Sequence, residues 1–285
     1  MSARSPELHF VAERELKVAV WEWPGDTPAL FFAHATGFHG RCWDRIVHRF
    51  PGRRVLAIEF RGHGRSSVPI PPIPWPAFAA DVLAVTRHFE LRGAIGVGHS
   101  MGGHSLVSAA IADPAIFDAL VLVDPVIMAR AYYREPPPDA SYIARRRNRF
   151  ASAEEMFERF HARLPFSAWQ TEALRDYCDY ALRPEGDAFV LACPPEVEAA
   201  IYGRCNAPEN DLYARMPGVT IPVTVMRAGT APIPGKFDLN TSPTGPEVAS
   251  CLPRGRDVFL ADRNHFIPME APELVAAEID SLLVE

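Results

Sequence analysis

At 285 residues and 31.5 kDa, the chain is long enough for one large domain, or for one domain that carries a sizeable insertion. Its hydrophobic fraction of 48% and charged fraction of 22% are typical of a soluble globular protein. A net charge of −6 and a pI near 5.9 provide no basic surface for phosphate groups, so we expect no nucleic-acid partner.

The amino-terminal segment MSARSPELHF lacks the apolar core of a signal peptide, and no apolar run in the sequence reaches the length of a transmembrane helix. The cysteines are odd in number, scattered, and never spaced as Cys-x-x-Cys: Cys42, Cys178, Cys193, Cys205 and Cys251. We therefore expect a cytoplasmic protein with no membrane partner, no disulfide framework and no zinc site. No motif requires a metal ion or an organic cofactor.

Short apolar segments alternate with helical segments in the first part of the chain. The predicted strands are LKVAVWEW (16–23), ALFFAHA (29–35), RVLAIEF (54–60), AIGVGHS (94–100) and ALVLVDPV (119–126). Helices are predicted at about 75–88 and directly after residue 100. The alternation returns with strands at 221–229 and 257–262 and a final helix that begins at Pro272. This order predicts a mostly parallel α/β sheet flanked by helices.

The middle of the chain breaks this pattern. Between about Ile127 and Pro217 only helical stretches rich in aromatic residues are apparent, and the basic run ARRRNR (144–149) is predicted to lie on a solvated helix face. The predicted organisation is a core domain made of residues 1–126 and 218–285, with a helical insertion at 127–217.

The segment Gly98-His99-Ser100-Met101-Gly102 matches Gly-x-Ser-x-Gly and stands between a predicted strand and a predicted helix. A serine in such a turn is held in a strained conformation that exposes its hydroxyl group, and small residues on either side permit the close approach of the backbone. The helix that follows places N–H groups and a positive dipole end nearby. Ser100 is the predicted nucleophile.

From this motif onward the sequence resembles the α/β-hydrolase fold family over nearly its whole length. HATGF (34–38) lies where members of the family usually carry His-Gly-x, with Ala35 in place of the usual Gly. The resemblance implies an oxyanion hole made by the backbone N–H groups of Thr36 and Met101. EFRGHGRS (59–66) resembles the turn Asp-x-Arg-Gly-x-Gly-x-Ser of the family.

The resemblance also implies a catalytic histidine in ADRNHFIPMEAPE (261–273), where His265 fits both the setting and the chain order. Imidazole suits this role because its ordinary pKa lies near neutrality, so it can take a proton from serine and return it to the leaving group. His99, beside the nucleophile, is interpreted as a supporting residue.

The position of the acidic residue that would orient His265 departs from the family pattern. After the strand IPVTVMR, the family pattern Arg-Gly-x-x-Asp places Ala231 at the aspartate position, and alanine cannot orient an imidazole. Asp238, Asp262 and Asp124 compete for the role. We predict Asp124, because some families of this fold, the haloalkane dehalogenases among them, carry the acid at the end of that earlier strand. Asp238 remains the alternative.

The resemblance implies that the insertion covers the serine, and we expect Trp43 and Trp169 to line a moderately apolar pocket for an acyl or aromatic group. The leading prediction is hydrolysis of a carboxylic ester, lactone or thioester of a small molecule through an acyl-enzyme. A carbon–carbon bond hydrolase or a cofactor-free perhydrolase is one alternative, and a receptor-like binding protein with a vestigial site is another. The oligomeric state is left open, a homodimer included.

Overall fold

The structure of the protein is a computed structural model that describes residues 5–229, 238 and 240–283. In chain order, the described strands are β1 (Glu7–Glu13), β2 (Leu16–Trp23), β3 (Asp26–Ala33), β4 (Arg53–Glu59), β5 (Ala94–His99), β6 (Phe117–Val123), β7 (Arg149–Phe150), β8 (Leu182–Glu185), β9 (Ala188–Leu191), β10 (Val223–Ala228) and β11 (Gly255–Leu260). The helices are α1 (Asp44–Val47), α2 (Pro76–His88), α3 (Met101–Ala112), α4 (Ser141–Ala144), α5 (Ala153–His161), α6 (Thr171–Tyr180), α7 (Pro195–Tyr202), α8 (Ile267–Glu270) and α9 (Pro272–Leu283).

Eight of these strands form one sheet in the order β1-β2-β4-β3-β5-β6-β10-β11. The pairs β1–β2 and β2–β4 are antiparallel, and every pair from β4 to β11 is parallel. This arrangement confirms the predicted mostly parallel α/β sheet. The sequence analysis did not predict the edge strand β1, whose residues are mostly exposed or half-buried and therefore give no apolar run.

Helices cover both faces of the sheet, and successive residues of β3 show the division. Phe31 packs in the core cluster that contains residues of α2 and α3, whereas Phe32 packs in the cluster that contains residues of α1 and α9. Both side chains are fully buried, because successive side chains of a strand point to opposite faces. The central strands are accordingly apolar without alternation, as predicted.

The chain between β6 and β10, which contains the predicted insertion and is called the insertion below, contributes no strand to the large sheet. It is not purely helical, however: β7, β9 and β8 form a small antiparallel sheet in that order. Strands β8 and β9 pair Glu185 with Ala188, so Gly186 and Asp187 form a two-residue hairpin loop in which Gly186 has φ 62°. The hairpin was missed because Phe189-Val190-Leu191 is a short apolar run beside long helical patterns.

The prediction for the basic run 144–149 was wrong. Helix α4 ends at Ala144, and the chain turns directly into β7. The Nη2 atom of Arg146 lies 2.6 Å from Oε2 of Glu198 in α7, an acid that is only 3% exposed. Arg147, in contrast, pairs with Glu155 at the surface. The run therefore connects parts of the insertion instead of covering a solvated helix face.

The parallel strands bring several chain turns to one edge of the sheet. Strands β3, β5 and β6 are neighbours, and their carboxyl ends lead into His34, Ser100 and Asp124. Ligand sites of open α/β sheets lie at this edge. Among the helices of the described residues, none combines the length and the apolar character needed to cross a membrane.

Candidate active site

Ser100 occupies a sharp turn between β5 and α3, with φ 57° and ψ −119°. This conformation is costly for a residue with a side chain and is typical of functional turns. The approach of α3 to the sheet explains the glycine at position 102, since a Cβ atom there would lie 2.1 Å from the carbonyl oxygen of Ala33. The turn thereby aims the Ser100 side chain at the edge where the strands end.

The structure brings together the three residues proposed as nucleophile, base and acid. Nε2 of His265 lies 3.0 Å from the hydroxyl oxygen of Ser100, and its Nδ1 lies 2.7 Å from Oδ2 of Asp124. With Nδ1–H donating to the carboxylate, Nε2 is free to accept the hydroxyl proton of Ser100. The side chains are buried: Ser100 is 2% exposed, His265 is 7% exposed and Asp124 is fully buried.

Asp124 follows β6 directly and has φ 45°, a left-handed conformation that aspartate tolerates better than most residues. Its Oδ1 atom accepts hydrogen bonds from the backbone N–H of Ala228 at 3.1 Å, from Ser242 Oγ at 2.6 Å and from Thr244 Oγ1 at 3.1 Å. Sequence reasoning missed Ser242 and Thr244, because they lie about 120 residues away from Asp124 in an irregular segment that carries no motif.

The other candidate acids have different surroundings. Oδ1 of Asp238 accepts from the backbone N–H of Asn240 at 3.0 Å and from its side-chain amide at 2.8 Å, which organises the local turn. The Asp262 side chain is 79% exposed and lies 3.8 Å from the Arg263 guanidinium. Ala231, at the aspartate position of the family pattern, lies outside the described residues. Of the three acids, Asp124 is the one that bonds Nδ1 of His265.

Thr36 and Met101 stand side by side at the ends of two neighbouring elements. Thr36 Oγ1 lies 3.4 Å from Met101 Sδ, and both residues are almost fully buried. Met101 is the first residue of α3, and N–H groups in the first turn of a helix have no intrahelical acceptor. The arrangement suits the predicted pair of oxyanion donors.

Two histidines join the turn that carries Thr36 to the turn after β4. The backbone N–H of Phe60 donates to Nε2 of His34 at 3.1 Å, and that of Gly37 donates to Nε2 of His63 at 3.0 Å. Each ring has its Nδ1 near a carbonyl oxygen, of Ala35 at 2.7 Å and of Arg61 at 3.0 Å respectively. The imidazole of each turn thus accepts a hydrogen bond from a backbone N–H group of the other turn. We call these two hydrogen bonds the histidine clasp.

The clasp requires both imidazoles to be neutral, because a protonated ring has no acceptor nitrogen. Burial lowers the pKa of His63 to about 4. Burial also lowers the pKa of His34 well below its ordinary value, and repulsion between the protonated forms of the two rings adds to this effect. His99 is neutral for the same reason, and its Nε2–H donates to the carbonyl oxygen of His265 at 2.8 Å. His99 thus bonds the backbone of the predicted base, and its supporting role stays a prediction.

Residues of the insertion contact the same turn. The carboxylate of Glu198 approaches Gly37 so closely that a Cβ atom there would lie 2.7 Å from Oε1. The hydroxyl group of Tyr177 donates to the carbonyl oxygen of Gly37 over a long 3.3 Å. Burial raises the pKa of Glu198, and the ion pair with Arg146 opposes that shift. Sequence reasoning missed this pair, having assigned Arg146 to a solvated surface.

The two tryptophans of the predicted pocket have different positions. Trp43 is 1% exposed and packs against Phe32 in the core cluster on the α9 face of the sheet, so it has no free surface with which to contact a substrate. Trp169 lies in an aromatic cluster between insertion and core, with ring centroids 5.7 Å from Phe38 and 5.3 Å from Phe266. Trp169 is also buried, at 6% exposed, but it packs against Phe266, which follows His265 in the chain. A pocket-lining role stays a prediction for both tryptophans, and the position of Trp169 favours it over Trp43.

A family model described as the alpha/beta hydrolase family matches residues 30–278, which is most of the chain. The chain therefore belongs to the alpha/beta hydrolase family, as the sequence motifs indicated. Among the described residues, no group of three or more histidine, cysteine, aspartate or glutamate side chains could hold a metal ion.

Characterised relatives match over part of their length. The chain is 38% identical over 106 residues to a non-heme chloroperoxidase from Streptomyces lividans, a match that covers 36% of this chain and 38% of the relative. It is 34% identical over 110 residues to Lipase LipV from Mycobacterium tuberculosis, covering 36% and 40%. A bifunctional esterase/perhydrolase, DCH, from Acinetobacter calcoaceticus is 34% identical over 121 residues, covering 41% and 43%. The chain thus spans less than half the length of these relatives.

Solved structures match over the whole chain. E-2-(acetamidomethylene)succinate hydrolase superimposes with a TM-score of 0.79 at 20% identity, covering 98% of this chain and 100% of that protein. The thioesterase domain from the curacin biosynthetic pathway gives 0.75 at 18% identity, covering 99% and 100%. At these identities the likeness establishes the fold.

Proposed function

We propose that the protein is a serine hydrolase that cleaves carboxylic esters of small, moderately apolar molecules through an acyl-enzyme. The observation that carries the proposal is the continuous hydrogen-bonded series from Ser100 through His265 to Asp124, with separations of 3.0 and 2.7 Å. Relatives named as a lipase and as an esterase support ester chemistry.

In the proposed acylation step, Nε2 of His265 accepts the hydroxyl proton as Ser100 attacks the ester carbonyl carbon. The carbonyl oxygen becomes negatively charged and receives hydrogen bonds from the N–H groups of Thr36 and Met101. Asp124 stabilises the imidazolium through Nδ1–H. His265 then returns the proton to the departing alcohol, which leaves Ser100 acylated.

Water completes the cycle. His265 takes a proton from a water molecule as it attacks the acyl carbon, and the same donors stabilise the second oxyanion. The imidazolium then protonates the Ser100 oxygen as the carboxylic acid departs. Thioesters and lactones undergo the same steps. Trp169, Phe38 and Phe266 belong to a buried aromatic cluster that includes the neighbour of His265 in the chain, and packing of the substrate against this cluster would favour an acyl chain or an aromatic group.

Perhydrolysis is the second candidate function. Two of the relatives are named as a non-heme chloroperoxidase and as a bifunctional esterase/perhydrolase. If hydrogen peroxide replaces water in the second half-reaction, its oxygen attacks the acyl carbon and a peracid leaves in place of the carboxylic acid. The amounts of carboxylic acid and of peracid formed in the presence of hydrogen peroxide measure hydrolysis and perhydrolysis directly.

The first test is hydrolysis of p-nitrophenyl esters of graded acyl length by the wild-type protein and by Ser100→Ala. We expect turnover that depends on Ser100 and a preferred acyl length that measures the pocket. Labelling of Ser100 by a fluorophosphonate probe separates an enzyme from a receptor-like protein with a vestigial site, because a vestigial site would not react. Labelling without ester turnover would instead favour a carbon–carbon bond hydrolase.

A further inference from the structure

The two oxygens of the Asp124 carboxylate have separate partners. Oδ2 receives Nδ1–H of His265, whereas Oδ1 receives the N–H of Ala228 and the hydroxyl group of Ser242, the latter at 2.6 Å. The carboxylate is fully buried, so its negative charge depends on these donors in place of water. The partners of Oδ1 therefore control how much charge Asp124 presents to His265.

The same chain turn contacts both the acid and the base. The backbone N–H of His265 donates to the carbonyl oxygen of Asn240 at 3.1 Å, while Ser242 and Thr244 reach Asp124 two and four residues later. Asp238 holds the start of this turn through its bonds to Asn240. The turn thus fixes the distance between the acid and the base from one side.

Ser242 is the stronger of the two hydroxyl donors. Thr244 Oγ1 lies 2.7 Å from the carbonyl oxygen of Pro125 and 3.1 Å from Oδ1 of Asp124, and its single proton serves both acceptors. Ser242 Oγ has Oδ1 as its near acceptor at 2.6 Å and itself accepts from the N–H of Thr244 at 3.4 Å. Its proton is therefore directed at the carboxylate.

We propose that Ser242 is a positioning residue that fixes Asp124 and moderates its charge toward His265, with Thr244 as a secondary donor. This inference rests on the proposed hydrolase function. The hydroxyl proton at Oδ1 draws negative charge away from Oδ2, so its removal strengthens the attraction between Asp124 and the imidazolium form of His265. The acidic side of the pH profile of kcat/KM, called the acid limb here, then moves to higher pH. Neutralising Asp124 would move it to lower pH.

Other charged or titratable groups lie on the elements that carry or adjoin the pair, and the variants change none of them. They are His99 on β5, Arg227 on β10 with its partner Asp257 on β11, Asp238 in the turn, and Asp262, Arg263 and Glu270 in the segment that carries His265. Because each variant changes only a neutral hydroxyl group, a shift of the limb reports the bond that was removed.

The experiment measures kcat/KM for a p-nitrophenyl ester between about pH 5 and 9 in four proteins: wild type, Ser242→Ala, Thr244→Val and Thr241→Val. Thr241 is the matched control, since its hydroxyl group donates to the carbonyl oxygen of Asp238 at 2.7 Å in the same turn. For Ser242→Ala we expect a plateau roughly tenfold lower and an acid limb displaced upward by roughly half a pH unit. Thr244→Val should show a smaller shift of the same sign, and Thr241→Val none.

An acid limb of Ser242→Ala that coincides with those of wild type and Thr241→Val overturns the proposal. So does a downward shift. Ser242→Thr keeps the hydroxyl group and should restore the wild-type limb, which separates hydrogen bonding from packing. Should Ser242→Ala fail to fold, Ser242→Cys, a weaker donor, and Thr244→Val must still move the limb upward, and an unmoved limb in both decides against the proposal.

Failure of the hydrolase function is distinguishable from failure of this inference. If kcat/KM of wild type is no higher than that of Ser100→Ala at any pH, the proposed function fails. The readout then becomes the downfield ¹H NMR resonance of the proton between His265 and Asp124. Ser242→Ala should shift that resonance while Thr241→Val leaves it in place, and an unshifted resonance in Ser242→Ala contradicts the positioning role.

Discussion

The two sides of Ser100 are built on different principles. On the oxyanion side, the turn His34–Gly37 is fixed by backbone N–H groups that donate to neutral imidazoles, which are kept neutral by burial. On the acid side, a buried charge is fixed by hydroxyl and N–H groups that converge on one carboxylate. In the proposed mechanism, the first side presents hydrogen-bond donors to the oxyanion, and the second holds a buried carboxylate next to the imidazolium form of His265.

This difference explains what the sequence could predict. The turn at Ser100 and the turn predicted to form the oxyanion hole each depend on residues adjacent in the chain, so short motifs at 98–102 and 34–38 predict both. Asp124 was predicted by the absence of an acid at position 231 in the family pattern. Its supporting hydroxyl groups come from about 120 residues away, in a segment without periodicity, and local patterns cannot place them.

In the fold, too, features set by local sequence were predicted and features that depend on distant residues or lack a local pattern were not. Buried parallel strands such as β5 and β6 are continuous apolar runs and were predicted, whereas the exposed edge strand β1 and the short hairpin of the insertion were not. Arg146 was misassigned because its burial depends on Glu198, which lies 52 positions later and becomes a neighbour only through the packing of α7.

The largest expected effect is that of Ser100→Ala, which removes the atom shared by both sides. We expect kcat for p-nitrophenyl ester hydrolysis to fall by about ten-thousand-fold or more, because the remaining donors cannot replace a nucleophile. Unfolding midpoints of the two proteins should agree within a few degrees, since the substitution removes one hydroxyl group and leaves the backbone hydrogen bonds of position 100 in place. Activity retained in well-folded Ser100→Ala would place the chemistry elsewhere.

Removal of Arg146 tests how much its buried ion pair with Glu198, the acid beside Gly37, stabilises the fold. Arg146→Met leaves the carboxylate of Glu198 buried without its partner, at an expected cost of about 3 kcal/mol in the free energy of unfolding. Arg147→Met is the control, because it breaks a surface pair and should cost less than about 1 kcal/mol. Urea unfolding of both variants gives the comparison, and equal costs would show that burial of the Arg146 pair has no energetic consequence.

The histidine clasp is tested by His63→Leu, which removes the imidazole acceptor of the Gly37 N–H. We expect kcat to fall by roughly 10- to 100-fold with little change in KM, because the turn that positions the Thr36 N–H loses its anchor. His63→Asn offers an alternative acceptor and should recover part of the loss. His104, another buried histidine, bonds the carbonyl oxygen of Asn210 instead; a similar fall of kcat in His104→Leu would contradict a role specific to the clasp.

His63 should also contribute to the acid sensitivity of the fold. Because burial lowers its pKa to about 4, the unfolded chain binds a proton between about pH 6.5 and 4 that the folded chain does not. Stability is therefore lost as pH falls through this window, by about 1.4 kcal/mol per pH unit for this group. His63→Asn should reduce the slope of unfolding free energy against pH by that amount. Parallel slopes in the two proteins would show that His63 titrates alike in both states.

The relocated acid is the central claim, and kcat/KM of Asp124→Asn beside that of Asp238→Asn tests it most directly. Asparagine at position 124 keeps the shape of the side chain but cannot stabilise the imidazolium form of His265, so we expect a loss of roughly a thousandfold or more. Asp238→Asn removes a charge from a turn that other bonds also hold, and should stay within about threefold of wild type. Full activity in Asp124→Asn together with loss in Asp238→Asn would contradict the account and make Asp238 the acid.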